Sequence, residues 1–416
     1  MTPGRRDLDE AEALDWLRLI RSENVGPRTF KTLLDRYGSA GAALKALPGL
    51  AKKATSRAIT VCSAAEAEAE WLRARKLNIR FVALCEDAYP EALRAIDAPP
   101  PLLAVAGRVD VLARPIVGIV GSRNASATGL ILTERLARGV AEAGYVVASG
   151  LARGIDVKAH MATLDTGTVA VLAGGHLHIY PSEHEGLARR ICEHGALVSE
   201  MPLGWEPRAR DFPRRNRIVA GLGLGVIVVE ASRRSGSLIT ARFANEQGRD
   251  VFAVPGSPLD PRSEGTNDLI RQGATLCTSA EDVVAALAPR RDASPEALGE
   301  ADRAEPEGEP LWDELDLFGD AAPEAAGGRA QAFAEADPPR RPEPRAGDGA
   351  DAGAGTDATG RLAALLGPAP VSVDELIRAS GLPPRAVQAA LVELELAGTV
   401  ARHEGNRVAR RIEPAA

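Results

Sequence analysis

The residues best suited to chemistry in this chain are glycines and arginines set just after short apolar runs. Gly121-Ser122-Arg123-Asn124 follows PIVGIV, Gly150-Leu151-Ala152-Arg153-Gly154 follows YVVAS (ending on Ser149), and Gly174-Gly175 follows TVAVLA. Beyond ALVSE a loop leads to Phe212-Pro213-Arg214-Arg215-Asn216-Arg217. Ser232-Arg233-Arg234-Ser235-Gly236-Ser237 follows VIVVEA, and Pro255-Gly256 follows DVFAV. Glycine lets a ligand approach backbone N–H groups, and a helix N-terminus behind such a turn favours anions. Arginine's planar fork suits phosphate oxygens. A single glycine turn has a purely steric explanation. Several turns interleaved with arginine describe an edge built for phosphates. The densest cluster is Arg208, Arg210, Arg214, Arg215 and Arg217, opposed only by Glu206 and Asp211. Phe212 within it either stacks a base beside those cations or anchors the next helix in the core. Arg123 and Arg215 are expected on exposed loops.

Catalytic signatures are mostly absent. There is no G-x-x-x-x-G-K-[ST], and no G-x-S-x-G elbow. The first turn, GIVGSRNAS, is not G-x-G-x-x-G, which disfavours NAD. Asp156 and His160 stand four apart on one helix face; a structural hydrogen bond near a helix start is favoured over an acid–base pair. His176 and His178 lack a cysteine or carboxylate at ligand spacing, so neither metal nor cofactor is expected. Non-catalytic binding is the leading expectation. The enzyme alternative is a Rossmann nucleotide phosphohydrolase or phosphoribohydrolase using Asp156, Glu230 or Glu246.

The elements that must position these loops follow from pattern. Apolar residues recur at helical spacing over 11–80, interrupted by turns at Val25-Gly26-Pro27 and Leu47-Pro48-Gly49-Leu50, and Ile79–Leu84 reads as a strand. From Pro115, β-branched runs alternate with helical stretches, the pattern of a parallel sheet covered on both faces. The expected organisation is α/β: an all-α unit (1–79), a Rossmann-type doubly wound domain (80–288), an acidic disordered linker (289–358) and a C-terminal winged helix (359–416). The last has three helices and a hairpin turning at Glu404-Gly405-Asn406.

The chain's net charge of −7 conceals an asymmetry. Residues 291–360 hold 18 acidic and 6 basic residues, net −12, leaving +5 on the remainder. An anionic partner is therefore compatible with the global sign. Four scattered cysteines suit reduced thiols. No apolar run suits a membrane span and the N-terminus lacks a signal-peptide core, so a cytoplasmic protein without membrane contact is expected.

The ordered loop motifs resemble those of the DNA-processing protein A (DprA, or Smf) family. The match runs through Gly121-Ser122-Arg123, SGLARGID (149–156), LAGGHLHIYPSEH (172–184), SEMPLG (199–204), FPRRNRIVAGL (212–222), EASRRSGSLITARFANEQGRDVFAVPG (230–256) and GTNDLIRQGA (265–274). The resemblance implies a non-catalytic protein that binds single-stranded DNA without sequence preference, usually as a homodimer, and loads the recombinase RecA, notably in natural transformation. It places basic DNA contacts at Arg123, Arg153 and Arg214 to Arg217. The site expected overall is Gly121, Ser122, Arg123, Ser149, Gly150, Arg153, Gly154, Gly174, Gly175, Phe212, Arg214, Arg215, Asn216, Arg217, Ser235, Gly236 and Ser237. Ser182 departs from the family, in which some members carry a basic residue there.

Three outlying features remain. The turns Val25-Gly26-Pro27 and Pro48-Gly49-Leu50 fit helix-hairpin-helix phosphate contacts or, slightly better, a packing module. In the winged helix, Glu393 and Glu395 suit a protein partner better than DNA, while Arg402, Arg407, Arg410 and Arg411 leave a nucleic-acid contact open. Within the acidic segment, Glu314-Leu315-Asp316-Leu317-Phe318 resembles the bacterial sliding-clamp-binding motif, with Glu314 in place of its usual glutamine.

Overall fold

The computed structural model describes residues 5–55, 59–291, 354–403 and 405–411. Both the acidic linker (289–358), apart from its first and last few residues, and the Glu314–Phe318 motif lie outside the described residues. The chain opens with four helices, α1 (Glu10–Arg21), α2 (Pro27–Tyr37), α3 (Ala40–Thr55) and α4 (Ala64–Lys76). Their starts follow local rules. Asp9 accepts the Glu12 N–H at 2.8 Å, Pro27 opens α2 after Gly26, and Ser63 with Glu66 forms a reciprocal capping box on α4. The turn expected at Leu47–Leu50 is instead helix, with Pro48 inside α3. Burial of Leu44 and Leu47 in the core outweighs the one hydrogen bond that proline removes.

The central sheet and its helices follow as β1 (Ile79–Ala83), α5 (Glu91–Arg94), β2 (Leu102–Gly107), β3 (Ile116–Gly121), α6 (Ala127–Glu142), β4 (Val146–Ser149), α7 (Ile155–Ala162), β5 (Thr168–Val171), α8 (Glu185–His194), β6 (Ala196–Ser199), α9 (Asp211–Leu222), β7 (Gly225–Val229), α10 (Gly236–Glu246), β8 (Asp250–Ala253), α11 (Glu264–Arg271), β9 (Thr275–Leu276) and α12 (Ala280–Arg291). The strand order is β1-β2-β6-β5-β4-β3-β7-β8-β9. Pairing is parallel from β6 to β9, whereas β1 and β2 add an antiparallel edge. β2 follows Pro99-Pro100-Pro101, whose prolines obscure a short apolar run in the sequence.

Alternate strand residues face opposite layers. Ile116 and Val120 join a cluster with Trp16, Leu17, Phe30, Leu103 and Val228, which spans the helical unit and one sheet face. Val117 and Ile119 join Leu136, Val140 and Leu287 on the other. Burial on both faces explains the nearly unbroken apolar strands.

The last described unit comprises α13 (Ala354–Leu365), β10 (Val371–Ser372), α14 (Val373–Ser380), α15 (Pro384–Leu396), β11 (Val400–His403) and β12 (Arg407–Arg410), with strand order β10-β12-β11. Gly405 and Asn406 take left-handed backbone at the hairpin tip, φ 78° and 56°. This unit docks on α6. Ala127 is buried among Leu362, Leu366 and Leu376. Arg262 donates to the carbonyls of Ala364 and Leu366, both at 3.1 Å, placing a cation at the C-terminal end of α13. Among the described residues, no helix is long and apolar enough to cross a membrane.

Candidate nucleic-acid interface

Strand order fixes where a ligand fits. From β3 the chain builds β4, β5 and β6 to one side, then returns to place β7, β8 and β9 on the other. The switch point lies between β3 and β7, and the loops after parallel strands all emerge along the same edge.

These loops brace one another. Ile155 donates its N–H to Ser122 O at 3.2 Å, joining the loop after β4 to that after β3. Gly154, at φ +76°, lies where any side chain would strike the Ser122 and Arg123 carbonyls. Across the switch point Glu230 stands in left-handed backbone, φ 53°, and its carboxylate accepts the Ser126 N–H at 2.8 Å and the Ser126 hydroxyl. Ser126 in turn caps α6 through the Gly129 N–H at 3.0 Å.

On the outer surface of this frame sits a cation–aromatic group. The Arg123 guanidinium lies 5.5 Å from the Phe212 ring centroid, and Tyr180 meets the same ring edge-on at 5.6 Å. Arg123 is exposed, Tyr180 is 55% exposed and Phe212 is half-buried. Phe212 is therefore neither wholly a core anchor nor a free platform. Tyr180 was not among the expected residues; its signal was an aromatic beyond the Gly174-Gly175 turn. Arg153 is also exposed and pairs with Glu183 at 2.7 Å. Asn216 Nδ2 donates to Gly236 O at 3.2 Å, bringing α9 against the Ser235–Ser237 turn, where Ser235 caps α10.

Several expected positions are instead interior. The basic motif is helix, not exposed loop, and Arg214, Arg215 and Arg217 are 7%, 6% and 3% exposed. Their partners explain this. Arg214 pairs with Asp211 at 3.4 Å, and Arg217 pairs with buried Glu200 and donates to Ala98 O at 2.6 Å. Arg215 donates to Val171 O at 3.0 Å, and burial lowers its pKa to about 10 although Asp156 opposes the shift, so it stays charged. Ser149 is buried and donates to Ile119 O at 2.6 Å. Gly174 and Gly175 are buried against the loop at Pro202–Pro207, and the Gly175 N–H is taken by Trp205 O at 2.9 Å. These glycines serve packing, not ligand approach.

The carboxylates of the enzyme alternative have structural partners. Asp156 accepts the Ala152 N–H at 3.2 Å; burial raises its pKa, which Arg215 counters. Glu246 pairs with Arg242 at 3.3 Å, one turn away. The hydrogen bond expected of Asp156 and His160 goes elsewhere: His160 Nδ1 meets Thr168 Oγ1 at 2.8 Å. No group of three potential metal ligands occurs among the described residues.

Comparison with known proteins agrees with this fold. The family described as DNA recombination-mediator protein A matches residues 80–288, the DprA-like N-terminal HHH domain matches 10–73 and the DprA winged helix domain matches 336–406. DNA processing protein DprA of Bacillus subtilis is 43% identical over 219 residues, 52% of this chain and 74% of that protein. The Streptococcus pneumoniae protein of the same name is 47% identical over 204 residues, 49% of this chain and 72% of that one. The X-ray structure of DNA processing protein A from Streptococcus pneumoniae superposes with a TM-score of 0.55 at 34% identity, covering 67% of this chain and 98% of that one. Helical unit, parallel sheet and winged helix thus all have counterparts in one family, and the chain belongs to the DNA recombination-mediator protein A (DprA/Smf) family.

Proposed function

We propose that this protein binds single-stranded DNA, without sequence preference, along the switch-point edge of its sheet. The observation that carries this reading is Arg123 over Phe212 beside exposed Tyr180, at the end of β3. Cations that meet phosphates, next to rings on which any base can stack, are the ingredients of sequence-tolerant single-strand binding. The contact surface comprises Ser122, Arg123, Arg153, Tyr180, Phe212, Asn216 and the Ser235–Ser237 turn. Gly121, Gly150 and Gly154 shape its backbone, and Arg215 lies beneath. A duplex buries its bases between two backbones and gives the rings nothing to stack on.

The role is non-catalytic, cytoplasmic and that of a homodimer: strand capture followed by loading of RecA, as the family resemblance implies. The Glu314–Phe318 segment adds a sliding-clamp contact. A fluorescence-anisotropy comparison of single- and double-stranded oligonucleotides, with nucleotide and phosphate release followed in parallel, tests the reading. Preference for the single strand with no release supports it; equal affinity for duplex, or turnover, overturns it. RecA filament growth on strands coated with single-strand-binding protein tests the loading step.

A further inference from the structure

Of the three interior arginines of α9, Arg217 and Arg214 have carboxylate partners within 4 Å, whereas Arg215 donates its Nη1 to a carbonyl and has no carboxylate that close among the described residues. A buried cation is costly to desolvate, and an apolar side chain of similar length would pack a helix equally well. Arg215 is placed where two loops meet. A Cβ at position 150 would overlap its guanidinium, so the turn after β4 closes over Arg215 only because Gly150 has no side chain. Its Nη1 bond to Val171 O reaches the end of β5. Asp156 on α7 attracts it and Arg123 repels it. The turn it supports carries Arg153; just beyond it the Ile155 N–H donates to Ser122 O, and Gly154 lies against the Ser122 and Arg123 carbonyls.

We propose that Arg215 is a positioning residue for strand binding: through Gly150 it sets the turn that carries Arg153 and braces Arg123, and it does not itself touch DNA. The proposal rests on the edge reading above. The DNA-facing surface is thus built on a cation that is out of reach of the strand, and the arginines of one motif divide between two jobs.

The test is the affinity of the full chain for an oligo-dT probe across a salt series. The variants are Arg215→Gln, Arg215→Lys, Gly150→Ala and the Gly150→Ala/Arg215→Gln double variant, with Arg123→Ala as reference and thermal unfolding of each. Arg215→Gln and Gly150→Ala each weaken binding about tenfold and share one salt slope. Gly150→Ala adds nothing in the Arg215→Gln background, and Arg215→Lys recovers part of the loss. A slope reduced in Arg215→Gln but kept by Gly150→Ala makes Arg215 a direct phosphate ligand and overturns the proposal. So do parent affinity in folded Arg215→Gln and additive losses in the double variant. Should Arg215→Gln not fold, Gly150→Ala with parent affinity overturns it equally. Arg123→Ala with unchanged affinity and slope instead overturns the edge reading itself.

Discussion

Replacing Arg123 by alanine separates binding from folding. The side chain is exposed on the loop after β3, and its guanidinium lies 5.5 Å from the Phe212 ring centroid. An exposed cation–π contact contributes about 0.5–1 kcal/mol, and substitutions at exposed loop positions cost little stability, so the folded state loses about 1 kcal/mol. The bound state loses a hydrogen bond between charged groups, about 1.5–3 kcal/mol, which weakens Kd by about ten- to a hundredfold. Losing one phosphate contact also flattens the salt dependence by about 0.7 for a single strand. Arg123→Glu goes further, because it places a like charge against the backbone. Anisotropy of a labelled oligo-dT probe between about 50 and 200 mM salt reads both quantities, and thermal unfolding monitors the fold. A variant that melts with the parent and keeps its affinity and slope would refute the assignment of the edge.

Arg217→Ala behaves oppositely: it strands buried Glu200 and destabilises the fold by about 3–5 kcal/mol in denaturant titration; a loss below about 1 kcal/mol contradicts its interior role. His160, buried, has its pKa lowered to about 3 from 6.5. Between those values the unfolded chain binds the extra proton, so its contribution is complete above pH 6.5 and is lost as pH falls towards 3. His160→Gln therefore removes about 1–2 kcal/mol of the decline between pH 7 and 5, and an unchanged pH profile counts against this. A fragment of residues 1–291 keeps most single-strand affinity while 354–416 alone binds weakly; the reverse moves the site to the winged helix. A peptide of residues 308–321 binds sliding clamp with an affinity on the order of micromolar, and Leu317→Ala with Phe318→Ala abolishes the anisotropy change; no signal with excess clamp removes that partner.

Much of the fold was legible because it is local. Continuous apolar strands, glycine turns and the three-helix-plus-hairpin pattern each declare themselves within about ten to twenty residues. The exposed half of the site was legible for the same reason, since Arg123 and Arg153 sit in short turns between recognisable elements. The fate of FPRRNR was not. An arginine reads as exposed until its partners are known: Arg215 donates to a carbonyl 44 residues away, and Arg217 to a carbonyl 119 residues away and a carboxylate 17 away. Local signals also misled at Pro48, where burial of neighbouring leucines overrode a turn, and around β2, where prolines hid a strand.

Because Trp16, Leu17 and Phe30 share one apolar cluster with Leu103, Val146 and Val228, the helical unit and the sheet behave as one thermodynamic object. Peeling α1–α4 away uncovers one face of the sheet, so the free energy of that local opening approaches that of global unfolding. A fragment beginning at residue 80 would cut into β1 and carry that uncovered face into solvent. The winged helix, held by the first turn of α6 and the Arg262 fork, belongs at the other end of the opening-energy scale. Its detachment leaves both faces of the sheet covered, so it opens at lower cost than α1–α4.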